Sequence, residues 1–326
     1  MVGRSAPAGL RRHEWRWRGC GCGLVLAMGL ALAAGWFLER DPTPRFLARR
    51  SRLVAVEPQG SIRAGGCFVE RLRLRAASGL TVELAVKRPV DAAGRSPRRP
   101  LVVLLGGFET GRNAVDLVAG PRGVVLAALS YPYSGPRPAH GPRGLLRLPA
   151  LRAGVLDTPP AVLLALDSLL TRPEVDPGQV ELVGVSLGAP FALVAGALDR
   201  RVRRVWLVHG AGDLRLLIDT ALRRAIPRSS LRRAVAELGS LAAGGPAVAP
   251  ERWAGRIAPR PLVMLNALSD ERMPRRAILA LYARARSPKE LVWLPGPHVE
   301  PDRPEVVERL IDQVLGRIVA RSREAR

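Results

Sequence analysis

The sequence predicts an α/β fold: a mostly parallel sheet flanked by helices. Three observations predict it. Short apolar runs recur at residues 101–105, 124–129, 180–185, 205–208, 262–266 and 291–294. The stretches between them are long enough to hold helices, and strands covered on both faces read as unbroken apolar runs. Glycines and polar residues gather directly after these runs, at the strand ends where an open parallel sheet forms its crevice.

The elements follow in order. Residues 1–19 form a basic segment with Arg11, Arg12, Arg16 and Arg18. Residues 20–38 carry no charge, and a helix of that length rises about 28 Å, enough for a bilayer core. Trp15, Trp17 and Trp36 suit the two interfaces. The expectation is an uncleaved, single-pass N-terminal anchor with the following domain outside the cytoplasm. A cleaved signal peptide is the competitor, since Ala31 and Ala33 offer a small-residue site. Residues 39–64 read as a linker, basic and proline-containing at their start, and residues 65–326 as the folded domain. Within it, runs 68–75 and 80–87 alternate apolar and polar residues, as a half-exposed antiparallel pair does.

The strand 101–105 ends in Gly106, Gly107 and Phe108. Glycines let a backbone approach a bound oxygen closely, so the Phe108 amide, or failing it Gly107, is a candidate oxyanion donor. A proline- and glycine-rich loop, 131–143, follows the next strand.

The strand 180–185 runs into Gly184-Val185-Ser186-Leu187-Gly188 and then into a helix-like stretch. This is a G-x-S-x-G elbow in the setting that its chemistry requires. The sharp turn lifts the Ser186 hydroxyl above the sheet, and the Leu187 amide opens the next helix without an intrahelical acceptor. A serine hydroxyl needs a base, and the base needs an acid to orient it. The chain has four histidines: His13, His140, His209 and His298. His298 follows the strand 291–294, where a loop can carry a base over the serine. His209 ends the strand 205–208 and reads as a packed or hydrogen-bonding residue that can still line the pocket. Asp270 follows the strand 262–266 and is the leading acid, with Asp213 the main rival and Glu271 a weaker one. The order Ser, Asp, His favours Asp270 with His298. The insertion 214–258 lies between the strands leading to His209 and Asp270, where it reads as a cap over the pocket or a solvated helical hairpin.

Together these segments resemble the α/β-hydrolase superfamily, and among its members the dienelactone-hydrolase and acyl-esterase-like enzymes. The residues that carry the resemblance are Leu104 to Phe108, Gly184 to Gly188, the stretch 259–270 and Gly296 to Pro301. Many relatives have a histidine where Gly106 stands. Dienelactone hydrolases proper use cysteine where this chain has Ser186, and the resemblance therefore implies ester hydrolysis on another substrate.

The formal charge is +23, yet only Lys87 and Lys289 are lysines and the arginines are spread along the chain. Aromatic residues are 4%, which leaves few platforms for stacking bases, so no nucleic-acid partner is expected. Three cysteines, Cys20, Cys22 and Cys67, suggest neither a disulfide framework nor a metal site. No cofactor is expected.

The combined expectation is a membrane-anchored serine hydrolase of a carboxylic ester. It would act through Ser186, His298 and Asp270, with Leu187 and Phe108 as oxyanion donors, on a small-molecule or lipid-like acyl substrate. An amide or thioester hydrolase or an acyltransferase would use the same residues, and a binding protein without catalysis would keep the fold alone.

Overall fold

A computed structural model describes residues 41–90, 97–133, 135 and 147–324. The chain from Thr43 on forms one compact unit. Its centre is a nine-stranded sheet in the order β1-β2-β3-β5-β4-β6-β7-β8-β9. The strands are β1 (Leu53–Ala64), β2 (Cys67–Ala76), β3 (Thr81–Pro89), β4 (Arg99–Leu105), β5 (Val125–Leu129), β6 (Val175–Val185), β7 (Val202–Val208), β8 (Leu262–Ala267) and β9 (Lys289–Leu294). β1 to β3 form an antiparallel meander that joins β5 antiparallel, and every pairing from β5 through β9 is parallel.

The chain leaves β4 for β5 on one side and later returns to β6 on the other. Connections diverge at that point, so a crevice opens beyond the carboxyl ends of β4 and β6. This topology puts the loop after β4 beside the turn after β6.

The sheet separates two apolar layers of unequal cover. Leu101, Val103, Leu182, Val205, Leu207 and Met264 face one layer. Four helices cover it: α1 (Thr43–Arg50), α2 (Leu148–Leu169), α3 (Ala189–Leu198) and, past the insertion, Arg275–Arg284. Val102, Leu126, Val183, Trp206, Val208 and Leu265 face the other layer, whose cover is a 3₁₀ turn, Gly111–Leu117, and the C-terminal helix Pro304–Glu324.

The stretch 39–64, read as a linker, contains α1 and β1. Phe46 is fully buried and packs beside Trp253. Arg49 binds Asp157 through two hydrogen bonds of 2.9 and 2.7 Å, and Arg50 grips Asp167 of the same helix. β1 is an edge strand with mostly exposed side chains, so its ladder to β2 holds it rather than apolar burial.

The insertion 214–258 holds α4 (Leu214–Ala221), α5 (Ser229–Ala242) and three short helical turns, Gly245–Val248, Pro250–Trp253 and Ala254–Arg256. Leu214, Leu216 and Leu217 pack against the layer beneath α3, while Leu231 and Leu238 are exposed. The insertion is a helical hairpin on that layer. In chain order the remaining helices are α6 (Arg275–Arg284) and α7 (Pro304–Glu324).

The expected membrane helix is corrected. Among the described residues no helix is long and apolar enough to cross a membrane. The longest, α2 and α7, carry charges such as Arg152, Asp157 and Asp167 in α2 and Arg309, Asp312 and Arg317 in α7. α7 covers the sheet with one face and meets solvent with the other, whereas α2 is buried on nearly every side from Thr158 to Leu169. Residues 20–38 lie outside the described residues, as do His13, His140 and most of the loop 131–143. The anchor, the membrane as a partner and the extracytoplasmic placement all rested on that segment, and all are withdrawn.

Candidate active site

Ser186 begins a short 3₁₀ turn, Ser186–Gly188, between β6 and α3. Its φ is +50°, a left-handed conformation that costs a non-glycine residue energy and marks a strained turn. The flanking glycines have a steric reason. A Cβ on Gly188 would lie 2.1 Å from the Leu105 carbonyl oxygen, and one on Gly184 would lie 2.7 Å from the Ala192 Cβ. Any side chain at either position would push the turn off β4 or α3.

His298 lies in the loop after β9. Its Nε2 is 2.8 Å from Ser186 Oγ. Its Nδ1 is 3.0 and 2.9 Å from the two carboxylate oxygens of Asp270. The His298 ring is 1% exposed and the Asp270 side chain 2%, so water does not compete for these bonds. Asp270 Oδ1 also accepts the amides of Arg272 and Met273 at 2.9 and 2.8 Å. Those two donors fix the carboxylate in its turn. Asp270 is thus both a loop aspartate bonded to its own backbone and the partner of His298.

The rival acids have other places. Asp213 caps α4 through Leu216, 3.1 Å away, and its own amide donates to Glu251. The Glu271 carboxylate accepts the backbone amide of His298 at 2.9 Å and a 2.6 Å bond from Arg303. Burial pushes the Glu271 carboxyl up, but the His298 amide and the Arg303 guanidinium outweigh it and hold the pKa at about 2. Arg303 also donates to the His298 carbonyl oxygen at 2.8 Å. Glu271 and Arg303 therefore clamp the backbone of the loop that carries the imidazole.

His209 adds a member that chain order does not reveal. It is 1% exposed and has a φ of +50°. Its Nδ1 accepts the Val299 amide at 2.8 Å and lies 3.8 Å from Asp270, and its ring centroid is 5.3 Å from that of His298. Burial, then the neighbouring His298, push its pKa down to about 4 against the pull of Asp270 and Glu271. The ring is neutral near pH 7, as an Nδ1 acceptor must be. The expectation of a membrane-anchored enzyme with a simple Ser-His-Asp triad is corrected on both counts. There is no spanning helix among the described residues, and the acid belongs to a His209–Asp270–His298 cluster beside Ser186. One atom from each of those three residues lies within 4.8 Å of the others. Ser186 and Asp270 engage the two His298 ring nitrogens, and the Val299 amide engages His209 Nδ1.

The loop after β4 closes the opposite side. Phe108, Gly107 and Leu187 line the same cavity as Ser186 and His298. Leu187 stands at the start of its turn, where an amide has no intrahelical acceptor. Tyr131 donates a 2.5 Å hydrogen bond to the Gly106 carbonyl, and Phe108 stacks on its ring with centroids 6.1 Å apart. Burial pushes the Tyr131 phenol well above its ordinary pKa, so it remains a donor. The sequence alone does not reveal this support, because Tyr131 lies 25 residues beyond Gly106 and only the pairing of β4 with β5 brings the two strand ends together. At Gly106 a Cβ would come within 2.6 Å of the Thr110 hydroxyl. Thr110 therefore fills the space in which a larger residue would stand.

The cavity has a volume of about 540 Å³ and is predominantly apolar. None of its lining residues comes from 214–258, so the hairpin does not roof it.

No protein-family model matches the chain, and no curated protein does. Solved structures do resemble it. An acetyl xylan esterase from Paenibacillus sp. R4 is 20% identical with a TM-score of 0.58, over 84% of this chain and 92% of that one. Acetyl xylan esterase 1 from Thermoanaerobacterium sp. JW/SL YS485 is 17% identical with a TM-score of 0.56, over 84% and 94%. A cold-adapted esterase from an Arctic intertidal metagenomic library is 17% identical with a TM-score of 0.51, over 80% and 100%. At such identities the shared property is the fold.

Proposed function

We propose that this chain, which has the α/β-hydrolase fold, is a serine hydrolase that cleaves a carboxylic ester. The observation that carries the reading is the continuous hydrogen-bonded path from Ser186 Oγ through the His298 ring to Asp270. The strained elbow under Ser186 and the loop of Gly107 and Phe108 lining the same cavity lend support. The esterases among the similar structures favour an ester over an amide.

In this reading His298 Nε2 takes the Ser186 proton as Oγ attacks the ester carbonyl carbon. The carbonyl electron pair moves onto oxygen, and the Leu187 and Phe108 amides stabilise that oxyanion. Collapse breaks the bond to the alcohol oxygen, which leaves with the proton from His298. Water then attacks the acyl-enzyme, giving its proton to His298. The bond to Oγ breaks, the acid departs and Ser186 regains its proton. Asp270 holds Nδ1–H and stabilises the imidazolium formed in each half.

The test is Ser186→Ala assayed on p-nitrophenyl butyrate. Hydrolysis should fall to the level of buffer with the melting temperature preserved. Turnover near wild type would remove Ser186 from the reaction.

A further inference from the structure

The cavity beside Ser186 extends far beyond the reacting atoms. It runs between the sheet and α7, and its walls are Val102, Leu126, Val183, Leu117, Leu310 and Val314. No charged side chain stands among those six. The charged residues of the lining, Glu109, Arg272 and Glu300, belong to the loops at the end that holds Ser186 and His298. Arg272 and Glu300 pair with each other at 2.7 Å.

The space has a structural origin. The connection between β4 and β5 carries a 3₁₀ turn of seven residues, Gly111–Leu117, where parallel strands are ordinarily joined by an α-helix. A short turn covers little of the sheet, and α7 alone does not fill the remainder. A gap lined by valine and leucine gains nothing from water, because a water needs polar partners. It gains from an aliphatic chain, which replaces missing contacts along its whole length.

We propose that this channel receives an unbranched aliphatic chain of the substrate, so that the preferred esters carry a chain of about eight to twelve carbons. With each methylene about as bulky as the ~30 Å³ share of a liquid water, a chain of that length uses from a little under half to about two-thirds of the 540 Å³. The inference rests on the serine-hydrolase reading for its reacting end. The chain can belong to the acid or to the alcohol half of the ester, since both halves meet at Ser186.

The experiment measures kcat/KM for two series: p-nitrophenyl esters from acetate to hexadecanoate, and alkyl acetates from ethyl to hexadecyl. In the series whose chain enters the channel, kcat/KM should rise about fourfold per methylene and turn over beyond about twelve carbons. A rise in the first series assigns the chain to the acyl side, and a rise in the second to the alcohol side. Flat or falling profiles in both overturn the proposal. Val314→Phe and Leu126→Phe narrow the channel from its two walls. Each should lower the ratio of long-chain to acetate kcat/KM at least tenfold, and two folded variants with unchanged ratios also overturn it. Leu238→Ala, on the exposed hairpin, should leave the profile as it is. A flat profile in an enzyme that Ser186→Ala inactivates strikes the channel alone, whereas full activity of Ser186→Ala strikes the catalytic reading.

Discussion

Asp270→Asn separates orientation of His298 from mere packing. Oδ1 of Asp270 accepts the Arg272 and Met273 amides, so the amide oxygen of the asparagine will occupy that place. Its NH₂ must then take the Oδ2 position, 2.9 Å from His298 Nδ1. The retained oxygen is 3.0 Å from Nδ1, but a donor at the nearer position favours the tautomer with Nδ1 as acceptor and the ring proton on Nε2. That nitrogen faces Ser186 Oγ at 2.8 Å and can no longer accept the serine proton. The wrong tautomer in a comparable triad costs about 10⁴ in kcat, or about 5.4 kcal/mol of barrier. The packing is preserved, because the two side chains have the same shape. The assay is kcat and KM on one p-nitrophenyl ester, with circular dichroism to verify the fold. We expect kcat to drop by three to four orders of magnitude, as about 10⁴ implies, with KM little changed. Asp213→Asn keeps its helix cap and stands away from the ring, so it should stay within about threefold of wild type, the scale of a small change in pocket shape. An Asp270→Asn enzyme within tenfold of wild type would refute the orienting role.

Two further predictions follow from the supports of the site. With a folded pKa of about 4 for His209 against about 6.5 in the unfolded chain, the unfolded state binds the proton first as pH falls. The His209 contribution is therefore complete above pH 6.5 and lost progressively down to pH 4, on the order of 3 kcal/mol. Urea denaturation should show the stability gap between wild type and His209→Gln shrinking across that window, and a constant gap would contradict the buried neutral ring. Tyr131→Phe deletes the bond to the Gly106 carbonyl. It should cost about 0.5–1.5 kcal/mol of stability and lower kcat more than it changes KM. An equal change in both would point to binding rather than to the loop that faces the oxyanion.

The sheet's centre was legible because its strands are covered on both faces and leave long apolar runs, as at Leu101 to Leu105. The edge was not. β1 has Val54 and Val56 exposed and includes Pro58 and Gly60, so its sequence resembles a loop, and only the ladder to β2 makes it a strand. Ser186, His298 and Asp270 were legible from their positions just past strand ends, where a parallel sheet gathers side chains. The supports of the site depend on contacts between residues far apart in the chain. Glu271 grips the His298 amide, His209 grips the Val299 amide, and Tyr131 holds Gly106. Each of these is a polar residue beside a turn with nothing local to distinguish it. The insertion 214–258 shows the same limit. Its place in the chain puts it at the right end of the sheet, but the apolar face of Leu214, Leu216 and Leu217 decides the side it covers.

In the proposed mechanism Ser186 is an activated nucleophile. Treatment with a fluorophosphonate, followed by peptide mass spectrometry, tests it most directly. The predicted result is a single stoichiometric adduct on the peptide containing Ser186, which is absent in Ser186→Ala and strongly slowed in His298→Ala. No adduct on the folded protein, or an adduct on another residue, would contradict the claim.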